Sequence, residues 1–195
     1  MENETLKERF LGTIFGQAVG DALGLSTEFM SKQEVDRFYP NGIEDYSQIV
    51  QDDHRRRWQR GDWTDDTDMM LCILDSFVAC QKVDILDIAR RFKKWMMNGG
   101  MEIGRHTYCL DDEKSMGYTL RTLGAALWAY WHATSYKEGI LKIVLSGGDA
   151  DTNAAVAGAI LGAKFGICHI PEEWKDGLLY ASMLHNKVQE FYAMV

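Results

Sequence analysis

Apolar residues recur at intervals of three and four along most of this chain, which is the spacing of one face of an α-helix. No stretch alternates apolar and polar residues clearly, although residues 41–50 and 101–109 allow short extended pieces. Helical periodicity therefore dominates the chain. The predicted helical runs cover residues 5–24, 66–81, 84–97, 116–133, 136–145, 152–165 and 172–193.

Local signals predict where several helices begin. Thr5, Ser31 and Ser135 each precede a glutamate by three residues, which is the spacing of a capping box. Pro171 is followed by two glutamates. This order is typical of a first helical turn, where proline replaces a free N–H and acids face the positive end of the helix dipole.

Two of the predicted helices carry small residues at every fourth position. Residues four apart share a helix face, and glycine inside a helix costs about 1 kcal/mol relative to alanine. Close packing can compensate for that cost, so we predict that the two helices pack with these smooth faces together. The stripes are Gly12, Gly16, Gly20 and Gly24 in one helix, and Ala154, Gly158, Gly162 and Gly166 in the other.

Two short acidic clusters each precede a long apolar run. They are residues 62–68, read Asp-Trp-Thr-Asp-Asp-Thr-Asp, and residues 147–152, read Gly-Gly-Asp-Ala-Asp-Thr. Either cluster alone is typical of helix caps. Two carboxylates 4 Å apart repel by roughly 1 kcal/mol in water and by more when buried. A fold that joins the clusters needs cations between them, and oxygen ligands favour Mg²⁺ or Mn²⁺.

Other site patterns fit less well. Asp149, Asp151 and Asn153 resemble the start of an EF-hand loop, but its sixth position is Ala154 and its twelfth is Ile160, where glycine and glutamate are required. The chain contains no phosphate-binding G-x-x-x-x-G-K-[ST] sequence, no G-x-S-x-G sequence and no H-x-x-x-H spacing.

Size and charge narrow the functional class. With 195 residues and 46% hydrophobic residues, the chain fits a single domain over residues 1–195. Its net charge of −8 argues against nucleic acid as a partner. The N-terminus has no apolar signal segment and no apolar run reaches about 20 residues, so we expect a soluble, cytoplasmic protein. One basic stretch, residues 54–60, is either a solvated loop or an anion contact.

The order of the motifs resembles the ADP-ribosylglycohydrolase family, which includes the dinitrogenase-reductase-activating glycohydrolase. Residues 20–29 match its G-D-A-L-G-x-x-x-E-F opening, and residues 63–67 match W-T-D-D-T. Residues 147–159 match G-G-D-x-D-T-x-A-x-x-G-A, and residues 117–128 resemble the helix before that motif. The matches extend over most of the chain.

The resemblance implies an all-α fold, a compact orthogonal helical bundle, with two Mg²⁺ or Mn²⁺ ions. It also implies hydrolysis of the bond at ribose C1″ in an ADP-ribosylated protein or an ADP-ribose-type small molecule. No membrane partner is expected, and the protein is allowed to form an oligomer. The implied metal ligands are Thr64, Asp65 and Asp66 on one side and Asp149, Asp151 and Thr152 on the other. Glu28, Asp65 and Glu102 are the implied catalytic residues, and Gly147, Gly148, Gly104 and His106 the substrate-binding residues.

The chain also departs from the family pattern. Residues 110–116 directly join two regions that a long helical segment with an N-G-S-x-M-R motif separates in longer members. We therefore interpret the chain as a shortened member. One alternative is a catalytically inactive metal- or ADP-ribose-binding or structural protein on the same scaffold, since the family contains a lens crystallin. Another is a cation-stabilised interaction domain in which Arg55–Arg57 dock an acidic partner.

Overall fold

The computed structural model describes residues 2–100 and 119–194. Within these ranges all regular structure is helical, which confirms the predicted all-α fold. Short 3₁₀ turns occupy Tyr46–Gln48, Arg55–Arg57 and Ile167–His169, and a π-helical turn occupies Met96–Gly100. The α-helices are α1 (Glu2–Gly24), α2 (Lys32–Phe38), α3 (Asp65–Cys80), α4 (Ile85–Trp95), α5 (Thr119–His132), α6 (Tyr136–Val144), α7 (Ala150–Phe165), α8 (Glu172–Asp176) and α9 (Ala181–Tyr192).

The centre of the fold is the antiparallel pair formed by α1 and α7. A Cβ atom placed on Gly16 would lie 2.2 Å from the carbonyl oxygen of Gly158, and one on Gly158 would lie 2.0 Å from the carbonyl oxygen of Gly16. Gly12 approaches Gly162 in the same way. The two backbones are therefore in direct contact, which confirms the predicted packing of the small-residue stripes.

The remaining helices enclose this pair. Helices α5 and α6 pack against α7, and the buried Tyr136 of α6 donates its hydroxyl to the carbonyl of Gly16 at 2.8 Å. Trp174 of α8 is fully buried and donates its indole N–H to the carbonyl of Glu44 at 2.7 Å. Within residues 2–100 and 119–194, no helix is both long and apolar enough to cross a membrane.

The predicted helix starts have different outcomes. Ser31 forms a complete capping box with Glu34. Ser135 caps α6 by accepting the N–H of Glu138, whose carboxylate bonds the backbone N–H of Thr134 rather than that of Ser135. The predicted start at Thr5 is wrong, because α1 already begins at Glu2.

The predicted helix over residues 172–193 is also wrong, because the structure contains two helices, α8 and α9, in its place. Between them, Leu179 donates its N–H to the carbonyl of Gly61 at 2.8 Å, and a Cβ on Gly61 would lie 2.1 Å from the carbonyl oxygen of Gly177. This contact with a distant loop interrupts the helix. Residues 41–50 hold a 3₁₀ turn rather than a strand, whereas residues 101–109 and 116–118 lie outside the described residues.

Replacement of Gly16 by alanine should strongly destabilise the fold. The new methyl group would collide with backbone of α7 that no side-chain rotation can move, so we expect a loss of about 3 kcal/mol or more in the free energy of unfolding. Urea denaturation measures this change. Gly124→Ala is the matched control, because an added Cβ at that exposed position of α5 meets nothing within 4 Å. It should stabilise the protein by about 0.5–1 kcal/mol, and equal effects of the two substitutions would contradict the account.

Candidate active site

The close packing of α1 and α7 brings three helix ends together. A Cβ on Gly24, at the end of α1, would lie 2.4 Å from the Cα of Asp151 in the first turn of α7. The start of α3 joins them through hydrogen bonds between Thr64 and Asp21. Since both α3 and α7 begin here, the positive ends of their helix dipoles favour negative charge at this point.

Asp21 is the most completely bonded acid of the site and is fully buried. Its Oδ1 accepts the backbone N–H of Thr64 at 3.0 Å and the hydroxyl of Thr64 at 2.7 Å. Its Oδ2 accepts the backbone N–H of Thr67 at 2.9 Å and the hydroxyl of Thr67 at 2.6 Å. A carboxylate has about four lone-pair positions, so these four bonds use them all.

Asp21 therefore acts as the cap of α3 from a distant helix. Thr64 occupies the N-cap position but makes no side-chain cap bond of its own, and Asp21 supplies the missing acceptor for the N–H of Thr67. The sequence analysis gave Asp21 no role. A signal was present, because Thr13, Gln17 and Asp21 are the only polar residues between Phe10 and Leu25 and are spaced four apart.

Asp66 and Asp151 meet beside Asp21. Among the described residues, these three acids form a group whose candidate ligand atoms all lie within 4.8 Å of one another. The hydroxyl of Thr152 donates to Oδ2 of Asp66 at 3.1 Å, which links the first turns of α3 and α7. The two acidic clusters thus come together as the sequence predicts.

One carboxylate oxygen of Asp151 lacks a hydrogen-bond donor among the described residues. Its side chain is 4% exposed, and its buried Oδ1 has no hydrogen-bond partner among the described residues. Buried carboxylate oxygens are normally bonded, and an unbonded one calls for a missing partner. Beside other carboxylates, a positively charged partner satisfies this oxygen best, and the residues present fit a divalent cation held by oxygen ligands.

Burial makes ionisation of the cluster unfavourable without a cation. Burial, together with the nearby carboxylates of Asp21 and Asp65, raises the pKa of Asp66 to about 8. Burial also raises the pKa of Asp21 to about 7 against the effect of its four hydrogen bonds. The pKa of Asp151 is raised well above its usual range by burial and by the neighbouring acids, first among them Glu28.

The remaining predicted ligands surround this group. Burial raises the pKa of Asp65, and the carboxylates of Glu28 and Asp149 contribute to that shift. Thr64 is buried, and its hydroxyl donates to Asp21, so the oxygen keeps a lone pair for an ion. The structure thus places the six predicted metal ligands at the two adjoining helix starts.

Glu28 lies next to the acidic group, in the turn that follows α1. Its side chain is 3% exposed, and burial raises its pKa to about 7, with Arg55, Asp151 and Arg57 opposing that shift. The turn is joined to the glycine loop by paired backbone bonds, from Phe29 N–H to the carbonyl of Gly148 and from Gly148 N–H to the carbonyl of Met30. This connection fixes Glu28 relative to the start of α7.

The glycine loop that precedes α7 is tightly constrained on one side. Gly147 and Gly148 have φ values of +70° and +71°, which favour glycine, and a Cβ on Gly147 would lie 2.3 Å from the carbonyl oxygen of Met30. Their N–H groups bond the carbonyls of Val144 and Met30. A Cβ on Gly148 would meet no atom of the described residues within 4 Å, so none of them covers its outer side. The predicted substrate contact of these glycines stays a prediction.

Three predicted residues cannot be placed on this framework. Glu102, Gly104 and His106 lie outside the described residues. The predicted helical motif over residues 117–128 is described only from Thr119 onward, as part of α5.

Within the basic stretch at residues 54–60, Arg55 differs from both interpretations of the sequence, whereas Arg56 and Arg60 are exposed as a solvated loop predicts. Arg55 is 3% exposed and donates its Nε–H to the carbonyls of Leu25 and Ser26 at 2.9 and 2.8 Å. Its Nη2 bonds the carbonyl of Glu28, and its Nη1 bonds Asp52. Arg55 is therefore a buried clamp on the turn after α1, which makes the expectation of an exposed anion or partner contact wrong for this residue.

Asp68 has a structural role in the first acidic cluster. Its two carboxylate oxygens accept the indole N–H groups of Trp63 at 3.0 Å and Trp95 at 2.9 Å. These bonds tie the end of α4 to the start of α3.

Comparison with known proteins assigns the chain to a family. A family model described as ADP-ribosylglycohydrolase matches residues 2–113 and 105–194, which together span nearly the whole chain. The chain belongs to the ADP-ribosylglycohydrolase family. This result confirms the resemblance that the motifs indicate. The match falls in two stretches that overlap at residues 105–113, which partly coincide with the shortened connection at residues 110–116.

Individual relatives agree with this family. The chain is 22% identical over 307 residues to ADP-ribosylarginine hydrolase Tri1 of Serratia proteamaculans, covering 99% of this chain and 81% of the relative. It is 23% identical over 284 residues to the ADP-ribosyl-[dinitrogen reductase] glycohydrolase of Rhodospirillum rubrum, covering 91% and 92%. Both alignments are much longer than the 195 residues of this chain, as expected for a shortened family member.

A solved structure supports the fold. The structure titled ADP-ribosylglycohydrolase-related protein complex superposes with a TM-score of 0.75 at 22% sequence identity. The superposition covers 96% of this chain and 98% of that one.

Asp21→Asn should destabilise the metal-free protein. The amide nitrogen cannot accept hydrogen bonds, so the substitution leaves either Thr64 or Thr67 without its acceptor. The N–H groups of the new amide also face the hydrogen-bond donors of that threonine. We expect a loss of about 2–4 kcal/mol in the free energy of unfolding, measured with urea in the presence of a chelator. Asp53→Asn, at an exposed position, is the control and should change little. Equal stability of the two variants would refute the capping role of Asp21.

The stability of the metal-free protein should fall as the pH rises. The folded state binds a proton on Asp66 that the unfolded chain releases near pH 4, because the folded-state pKa of Asp66 is about 8. The stabilisation is complete below about pH 4 and is lost as the pH rises through about 8. Melting curves in chelator should show this decline, and Asp66→Asn should flatten it. A wild-type curve that rises over the same range would contradict the prediction.

Proposed function

We propose that this chain is a metal-dependent hydrolase that cleaves the bond between ribose C1″ and its acceptor atom in ADP-ribosylated targets or related ADP-ribose compounds. The observation that carries the proposal is the buried Oδ1 of Asp151, which has no hydrogen-bond partner among the described residues and lies in a group of converging carboxylates. Membership of the ADP-ribosylglycohydrolase family and the printed names of the relatives support the reaction class.

In this proposal two Mg²⁺ or Mn²⁺ ions are held between α3 and α7. The ligands are the two triplets at the helix starts, and their four aspartates balance the charge of two divalent ions. Asp21 is excluded as a main ligand because its four acceptor positions are already used. When bound, such ions polarise oxygens of the substrate and of water. The ligand residues are Thr64, Asp65, Asp66, Asp149, Asp151 and Thr152.

The chain itself supplies a group for proton transfer. Hydrolysis adds the oxygen of water to ribose C1″, breaks the bond from C1″ to the acceptor atom, and moves one proton from the water to the leaving group. Glu28 is buried beside Asp151 and is the proposed acid or base for this proton. Asp65 and Glu102 are proposed to assist this step.

The substrate class is proposed from the relatives and from the shape of the loop. ADP-ribosylarginine hydrolase Tri1 and ADP-ribosyl-[dinitrogen reductase] glycohydrolase are the names of two relatives, so an ADP-ribosylated protein side chain is the first candidate. The side of Gly148 that no described residue covers allows a substrate to approach the backbone closely at the start of α7. Gly147, Gly104 and His106 complete the proposed contact set.

A hydrolysis assay tests the proposal. The purified protein is incubated with peptides ADP-ribosylated on arginine or on serine, with Mg²⁺, with Mn²⁺ or with chelator, and released ADP-ribose is quantified. We expect metal-dependent release that Asp66→Asn and Asp151→Asn reduce by about 100-fold or more, because each removes one negative ligand. Asp53→Asn is the control. Asp53 is exposed, so this variant should retain wild-type activity.

Thermal melting separates an inactive protein from a failed metal site. If the metal shifts the melting temperature upward but no ADP-ribosyl peptide is cleaved, the hydrolase proposal fails for those linkages and the inactive binding protein is favoured. If millimolar Mg²⁺ and Mn²⁺ leave the melting temperature unchanged, the metal site itself is refuted.

A further inference from the structure

The Glu28 carboxylate has a specific partner outside the acidic clusters. Nε2 of His54 lies 2.5 Å from Oε2 of Glu28. The His54 side chain is 21% exposed, whereas that of Glu28 is almost fully buried, so His54 covers the outer side of the carboxylate. On the inner side the Glu28 carboxyl contacts the carboxyl of Asp151.

The other nitrogen of the imidazole fixes its tautomer. Nδ1 of His54 contacts Nη2 of Arg57. A guanidinium has only N–H donors and remains charged in proteins, so Nδ1 must be the acceptor of this bond. The imidazole proton therefore sits on Nε2, and His54 is a neutral donor to Oε2 of Glu28.

Arg57 is itself held in place. Its Nε–H donates to the backbone carbonyl of His54 at 2.8 Å, and its guanidinium carbon lies 4.8 Å from the centre of the Trp58 ring. The imidazole packs between Phe29 and Trp58, with ring centres 5.1 and 5.3 Å apart. Neither member of the contact is therefore a freely rotating surface side chain.

The backbone around His54 is organised by Asp52 in the same loop. Oδ1 of Asp52 accepts the N–H groups of His54 at 3.0 Å and Arg55 at 2.8 Å. Arg55 in turn bonds the carbonyl of Glu28. The basic stretch thus contacts Glu28 at two points. Arg55 bonds the backbone carbonyl of Glu28, and His54 bonds its carboxylate.

We propose that His54, oriented by Arg57, is a positioning residue that fixes the Glu28 carboxylate for proton transfer. The proposal rests on the proposed function, in which Glu28 is the acid or base. A hydrogen bond to Oε2 leaves the second oxygen of the carboxylate outside this contact. Loss of the bond frees the Glu28 side chain to rotate, and a displacement of about 1 Å in a reacting group can reduce a rate about 100-fold.

The first test reads the tautomer directly and requires no activity. Long-range ¹H–¹⁵N correlation spectra of the full chain distinguish an imidazole protonated on Nε2 from one protonated on Nδ1, and the signal lost in His54→Gln identifies His54. We expect the Nε2–H form in wild type and a mixture of forms in Arg57→Met. An Nδ1–H form in wild type, or a spectrum that Arg57→Met leaves unchanged, would overturn the proposal.

The second test separates positioning from folding. In hydrolysis of an ADP-ribosylarginine peptide with Mn²⁺, His54→Leu should lower kcat about 10- to 100-fold, with KM and the metal-induced rise in melting temperature nearly unchanged. His54→Gln should recover most of the rate, because its amide nitrogen is as many bonds from Cα as Nε2 of histidine. His132→Gln, at an exposed position of α5, is the matched control and should behave as wild type.

The outcomes of the second test are distinct. Wild-type rates in His54→Leu would overturn the proposal, as would a folded His54→Gln variant that is as slow as His54→Leu. If His54→Leu fails to fold, the His54→Gln rate decides alone. If the wild-type protein releases no ADP-ribose, the proposed function fails, and the tautomer measurement still decides whether the Arg57–His54–Glu28 contact exists.

Discussion

The direct contact between the backbones of α1 and α7 is the constraint on which the rest of the structure depends. Glycines on both helices meet in antiparallel register, and the same register sets Gly24 against Asp151. An α-helix turns about 100° per residue, so a shift of one position would turn Asp21 away from the start of α3. The smooth faces of the two helices therefore determine which side chains reach the site, although they contribute no chemical group to it.

Hydrogen bonding divides the buried acids of the site into two kinds. Asp21 receives four donors and holds the first turn of α3 in place. Asp151 has a buried oxygen with no donor among the described residues, and its pKa is raised by burial and by the acids around it. The first arrangement is complete within the protein, whereas the second requires a positive charge from outside. This difference explains why carboxylates that repel one another are kept together, and it connects the packing of the helices to the proposed metal-dependent chemistry.

Sequence patterns predict the parts of this structure that depend on nearby residues. The glycine stripes, the capping box at Ser31 and the two acidic helix starts all follow from spacings of a few residues. Contacts between distant segments were not predictable in the same way. The bonds from Asp21 to Thr64 and Thr67 join residues more than forty positions apart, and the contact of Gly61 with Gly177 breaks a run that looks continuous as a helix. Arg55 was misinterpreted because the carbonyls that receive its side chain become a binding site only when the turn after α1 has formed.

The most direct measurement for the central claim is a crystal structure of the protein grown with Mn²⁺, with anomalous scattering recorded at the manganese edge. The account predicts two anomalous peaks between the first turns of α3 and α7, with Asp66 and Asp151 among the ligands and with Asp21 still bonded to Thr64 and Thr67. A folded protein with no anomalous peak between these two helix starts, or with Mn²⁺ bound only elsewhere on the surface, would contradict it.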